Sequence, residues 1–169
     1  MNPKLKTILV LVIVLLPTMW IAKILLFPPD ENRKIENTIH AAVDAFAAKK
    51  SRAVAEFLTD DFKADRNVDK EMAEMQMKGF FFQVRDLAAS IEYFKHEREK
   101  LPPVATEARI LVVVKVAGTI DGNRFQAFGQ HGADAALLSL RKQKDEWKIF
   151  RARYIDTKDP LEAFKKLIE

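Results

Sequence analysis

An α+β fold is predicted for this chain: an N-terminal transmembrane helix, then a curved antiparallel sheet wrapped around helices to make a cone. Three observations predict it. Residues 7–27 form an apolar run, residues 30–84 carry apolar positions at three- and four-residue spacing, and from residue 87 the period changes to two, with turn signals between segments. Helices followed by a run of antiparallel strands pack on one face of the sheet, and long bent strands curl around them.

Residues 7–27, TILVLVIVLLPTMWIAKILLF, read as a membrane anchor. A helix of that length rises about 31 Å, matching a hydrocarbon core of about 30 Å. Its one charge, Lys23, lies near the distal end, where a long stem carries the ammonium to the headgroups, and Trp20 suits the same depth. Pro17 removes one backbone hydrogen bond, which membrane helices tolerate. The competing reading is a cleaved secretory signal with Lys4 and Lys6 as its charged leader. Cleavage after Ala22 would place bulky Trp20 at the third-last position, and the apolar segment continues to Phe27, so the anchor is preferred. A buried core helix fits least, because no polar face interrupts residues 8–16. Lys4 and Lys6 precede the span while Lys23, Arg33 and Lys34 follow it, so the positive-inside bias nearly cancels. The form of an uncleaved signal favours a short inner tail, 1–6, and an exported domain, on the periplasmic side of the inner membrane in a bacterium.

Removing the first 27 of 169 residues leaves enough chain for one domain with a hydrophobic core, here assigned to 28–157 with 158–169 as a C-terminal amphipathic helix. The net charge of +4 is misleading. Without Lys4, Lys6 and Lys23 there remain 25 basic residues against 24 acidic, a balance that argues against a nucleic-acid partner. Cysteine is absent, which removes disulfides, thiol nucleophiles and thiolate metal sites. No two of the three histidines have ligand spacing, and no cofactor signature occurs, so neither metal nor cofactor is expected.

After Pro28 and Pro29, Asp30 caps a helix to about Lys50 whose Ile35, Ile39, Ala42, Val43 and Phe46 make one apolar stripe. His40 and Asp44 fall beside that stripe and read as a solvated pair rather than an acid/base couple. Ser51 caps a short helix, 52–58, closed by a polar turn, Thr59-Asp60-Asp61. Asn67 or Asp69 opens a third helix to about Val84, with Met72, Met75, Gly79 and Phe82 on one stripe and Met77, Phe80 and Val84 beside it. So wide an apolar face is either core or the lining of a pocket for an apolar molecule, and the pocket candidates are Met72, Met75, Phe80, Phe82 and Tyr93.

From Leu87 alternation puts Ala89, Ile91 and Tyr93 on one side of a strand and Ser90, Glu92 and Phe94 on the other. His96, among Lys95, Glu97 and Arg98, reads as solvent-facing. Pro102 and Pro103 lead to the longest strand signal, 105–120, with Ala108, Ile110, Val112, Val114 and Val116 on one face and Glu107, Arg109 and Lys115 on the other. Leu111 and Val113 interrupt the polar face and point to a second packing partner, such as another subunit. Asp121-Gly122-Asn123 is a hairpin turn, and the return leg, 124–140, contains Gly129 and Gly132, which mark a bulge or bend. A turn at 142–145 precedes the last strand, 146–155. Asp159-Pro160-Leu161-Glu162 is a capping box that starts the final helix, with Leu161, Phe164 and Leu167 or Ile168 able to dock.

This order, together with AVDAFAAKKSRAVAEFLTDDF, GFFFQVRDLAASIEYF, the DGN hairpin and WKIFRARYI, resembles the nuclear transport factor 2-like superfamily, also called SnoaL-like or cystatin-like, over residues 34–155. The resemblance implies a cavity between sheet and helices but no single chemistry, since such proteins include isomerases, cyclases, dehydratases, binders and assembly domains. Catalytic members use an Asp, His or Tyr inside the cone, which makes Tyr93, His131 and Asp134 the candidates here, with Tyr154 further along. His131 and Asp134 are three apart, so they share a face only across a bulge. A span followed by such a domain is also similar in architecture to assembly subunits of type IV secretion systems and to membrane proteins associated with lipid import. The expected function is a membrane-tethered, non-enzymatic interaction or accessory domain, with a small-molecule binder or isomerase/cyclase-type enzyme as the alternative.

Overall fold

The computed structural model describes residues 30–127 and 134–156 together with Glu162 and Phe164. The expected anchor, His131 and the capping box at 159–162, Glu162 excepted, lie outside these residues. Among the described residues no helix is long and apolar enough to cross a membrane.

The first helix, α1 (Glu31–Ala47), starts where Asp30 accepts the Asn32 N–H at 3.1 Å, and it buries Ile35, Ile39 and Ala42 along the predicted stripe. A short α2 (Ser51–Glu56) follows. Next comes β1 (Leu58–Ala64), where local composition indicates the end of a helix and a polar turn. The correction has a tertiary cause. Leu58, Thr59 and Phe62 are buried, while Asp60 and Asp61 are both exposed, where the pairing with the last strand slips between Leu58 and Lys63, and meet Lys70 at 2.8 Å and Arg141 at 3.0 Å, so a dipeptide that reads as a turn is an irregular, charged part of an edge strand. Lys70 holds the Asp60 carboxyl below the usual carboxylate range.

Helix α2 is followed, after β1 and a tight turn at Asp65–Asn67, by α3 (Lys70–Gln83), capped by the Asp69 carboxylate on the Met72 N–H at 2.9 Å. The remaining strands are β2 (Val84–His96), β3 (Glu107–Ile120), β4 (Asn123–Ala127), β5 (Asp134–Gln143) and β6 (Glu146–Asp156). They form one sheet in the order β1-β6-β5-β3-β2, with β4 also on β3. Every pairing is antiparallel except β1 with β6, which is parallel, so the sheet is mixed rather than wholly antiparallel. The hairpin forms as its Asp-Gly pair requires, with φ of 50° at Asp121 and 80° at Gly122. Within the expected return leg, β4 and β5 pair with successive parts of β3, and the bend expected at Gly129 and Gly132 lies outside the described residues.

Alternation along β3 divides the sheet. Ala108, Ile110 and Val112 face inward and pack with Ile35 and Ile39 of α1, Leu140 and Trp147. Leu111 faces outward, where it is fully buried with Ala135, Leu137, Ile155 and Phe164. That outer cluster answers the interruption in the polar face of β3: the side chain seated on Leu111 is this chain's own Phe164.

Candidate functional site: an apolar cone

Between α1 and the inner face of the sheet lies a cavity of about 270 Å³. Ile39, Val43 and Phe46 of α1 form one wall, Val112, Val114 and Val116 of β3 the opposite one, with Leu138 of β5 and Ile149 of β6 alongside. Each wall follows from a period: i, i+4, i+7 on the helix and i, i+2, i+4 on the strand. Every lining side chain is hydrocarbon or phenyl. Phe46 also stacks on Phe80 at 6.0 Å and meets Phe81 edge-on at 5.0 Å, while Phe80 reaches Phe125 at 6.1 Å. This aromatic group ties α1, α3 and β4 together.

The pocket-lining candidates are placed elsewhere. Met72, Met75 and Phe82 are 37%, 64% and 93% exposed on α3, Phe80 sits in the aromatic group, and Tyr93 is 39% exposed; none of the five lines the cavity. A helix that is apolar all round does not reveal which stripe meets the core, and here Phe81 is the buried side chain. Tyr93 is misplaced by alternation because the pairing of β2 with β3 slips between Ile91 and Tyr93. The extra residue sends Tyr93 outward beside Val113 and turns Phe94 inward beside Val112. Asp134 pairs with Asp156 at the start of β5, and Tyr154 is exposed on β6.

His96, expected in solvent, is drawn inward by the same slip. It pairs with Ile110, and its Nε2 meets Glu36 Oε1 of α1 at 2.8 Å, with only 13% of the side chain exposed. Its Nδ1 is buried without a partner among the described residues. The His96–Glu36 pair fastens α1 to β2. A second buried polar knot closes the other side: Glu31 accepts from Trp147 Nε1 at 2.8 Å, Lys34 Nζ at 2.8 Å and Lys142 Nζ at 3.2 Å. Burial alone would push the Glu31 carboxyl up, but the Lys34, Trp147 and Lys142 donors outweigh it and hold the group below the ordinary carboxylate value. Among the described residues no group of carboxylates and imidazoles could hold a metal ion.

No protein-family profile and no curated protein sequence matches the chain. Solved structures do. A candidate scytalone dehydratase of Novosphingobium aromaticivorans superposes with a TM-score of 0.62 at 15% identity, covering 75% of this chain and 85% of that one. A ketosteroid isomerase-like protein of Erwinia carotovora atroseptica gives 0.56 at 20% identity over 76% and 98%. A nuclear transport factor 2-like protein of unknown function from Pseudomonas putida gives 0.56 at 10% over 72% and 83%. The fold is nuclear transport factor 2-like. At these identities the likeness extends to the backbone alone, and the nuclear transport factor 2-like fold hosts many unrelated functions.

Proposed function

We propose that this chain is a membrane-tethered, non-catalytic interaction module on a nuclear transport factor 2-like fold, anchored by residues 7–27 with the domain on the exported side. The observation that carries the reading is the ridge on α3, where Met72, Met75 and Phe82 share a stripe with Gly79 and face outward. A phenyl group 93% exposed beside a methionine 64% exposed is a surface awaiting a cover. The occupant is a second copy of this chain. In an antiparallel two-fold pairing of the stripe, Phe82 lies level with Met72 of the second copy and Met75 with its Gly79, where a Cβ would meet nothing within 4 Å. Glu74 and Lys78, bonded within one helix at 2.7 Å, lie on either side of the midpoint and complement each other across the same axis. The ridge offers only a few hundred Å² per copy, less than a typical stable interface, and confinement of both copies to one bilayer raises their effective concentration.

Because the chain has no cysteine, the test is clean. Full-length M75C and G79C chains, each carrying one cysteine and co-expressed in native membranes, are expected to give a dimer band with a short bismaleimide, lost when Phe82→Glu is added. Monomer alone would remove the second copy as occupant. Carbonate-washed membranes are expected to retain the chain; recovering it from the soluble fraction without its first two dozen residues would remove the tether.

The cavity favours a second reading, a small apolar molecule held in the cone, because about 270 Å³ of hydrocarbon-lined space is close to the lower size of ligand sites. Saturable uptake of a fluorescent naphthylamine by the full chain supports it, and no uptake removes it. An isomerase- or cyclase-type version further requires a proton-transferring side chain that reaches the cone.

A further inference from the structure

The outer face of the sheet carries an arrangement that neither the cone nor the α3 ridge uses. Arg109 of β3 lies directly opposite Ser139 of β5, and Ser139 lies directly opposite Arg151 of β6. One step along, Leu137 is opposite Arg153. Directly paired residues point to the same face, so Arg109, Arg151 and Arg153 share the outer face with Ser139 on neighbouring strands. They line a single groove of about 470 Å³, whose floor includes Leu137 and Phe150.

Like charges on adjacent strands oppose folding, and ordinarily each is balanced by a carboxylate. None of these three arginines forms an ion pair with a described residue. Two carboxylates border the groove, but Glu107 is already held by Arg141 at 3.1 Å, which leaves Glu97 against three cations. Among the described residues the cluster therefore lacks a full counter-charge. Guanidinium forks match the oxygens of a tetrahedral dianion, Ser139 adds a hydroxyl donor, and the half-buried Phe150, one face of which Arg141 covers at 4.4 Å, borders the groove as apolar surface for an organic remainder.

We propose that this outer groove binds a phosphate monoester or diester, with Arg109 and Arg151 on its oxygens, Arg153 completing the charge and Phe150 beside the organic part. The phosphate could belong to a soluble ester or to a lipid headgroup, and the same chemistry serves both.

Titrating the full chain in neutral detergent with inorganic phosphate and glycerol 3-phosphate, against chloride at matched ionic strength, tests the proposal. Saturable binding is expected, tighter for the ester, and weakened at least about ten-fold by Arg109→Ala or Arg151→Ala but less by Arg151→Lys. Arg85→Ala, away from the groove, is expected to change nothing. Without phosphate, Arg151→Ala should melt no lower than wild type, because repulsion has been relieved, which separates loss of binding from loss of fold. Absence of saturable binding to both probes, or variants that bind like wild type, would overturn it. In nanodiscs, competition between phosphatidylglycerol and glycerol 3-phosphate that disappears in Arg151→Ala would identify the headgroup as the source. Ester binding indifferent to that lipid would identify a soluble ligand.

Discussion

Glu31 shows how one residue gathers three elements. It lies in the first turn of α1, where a negative charge is favoured by the helix dipole, and it accepts from α1 through Lys34, β5 through Lys142 and β6 through Trp147. Replacing it by Gln removes the charge and leaves two ammonium groups short of a partner. Glu31→Gln is expected to cost about 1–3 kcal/mol at neutral pH, measured by urea unfolding. The pH dependence has a definite sign. A carboxyl whose folded value is depressed contributes stability above its unfolded value of 4.5, and that contribution is lost as pH falls through the lower folded value. The gap between wild type and variant should therefore close in acid; a gap of constant size from neutral pH to below the carboxylate range would remove the charge from the explanation.

Individual elements differ in how well their own residues announce them. Helix α1, strand β3 and the Asp-Gly hairpin were legible because period and turn chemistry are local properties. Strand β1 was not, since Asp60 and Asp61 signal a turn until β6 is placed beside them. The bulge in β2 was equally silent: alternation through Ile91, Glu92 and Tyr93 gives no sign that one residue is left out of the pairing, yet that slip decides which of Tyr93 and Phe94 enters the cone. The inner wall of Val112, Val114 and Val116 was readable as a face, whereas the choice among stripes on α3 was set by packing with Phe46. Leu111 signalled a second packing partner on the polar face, and Phe164 of this chain is buried in the cluster with it. Phe164 is 1% exposed on the outer cluster, so Phe164→Ala is expected to cost about 3 kcal/mol in a denaturant titration. A loss within about 0.5 kcal/mol would mean that Leu111 needs no cover from within the chain.

At the scale of the whole molecule the cone is the test of what the fold is for. Val114 borders both the cavity and the inner core. Val114→Phe is expected to fill the space, reduce uptake of an apolar probe at least about ten-fold and leave the thermal midpoint unchanged or slightly raised. Full uptake by a well-folded V114F chain would place the probe elsewhere.

The parallel seam between β1 and β6 joins the first strand of the domain to the last, Leu58 beside Ile149. During synthesis, Leu58 and Phe62 therefore leave the ribosome long before the strand that shelters them exists, and no early fragment can close the sheet. The sheet closes only once that last strand has emerged.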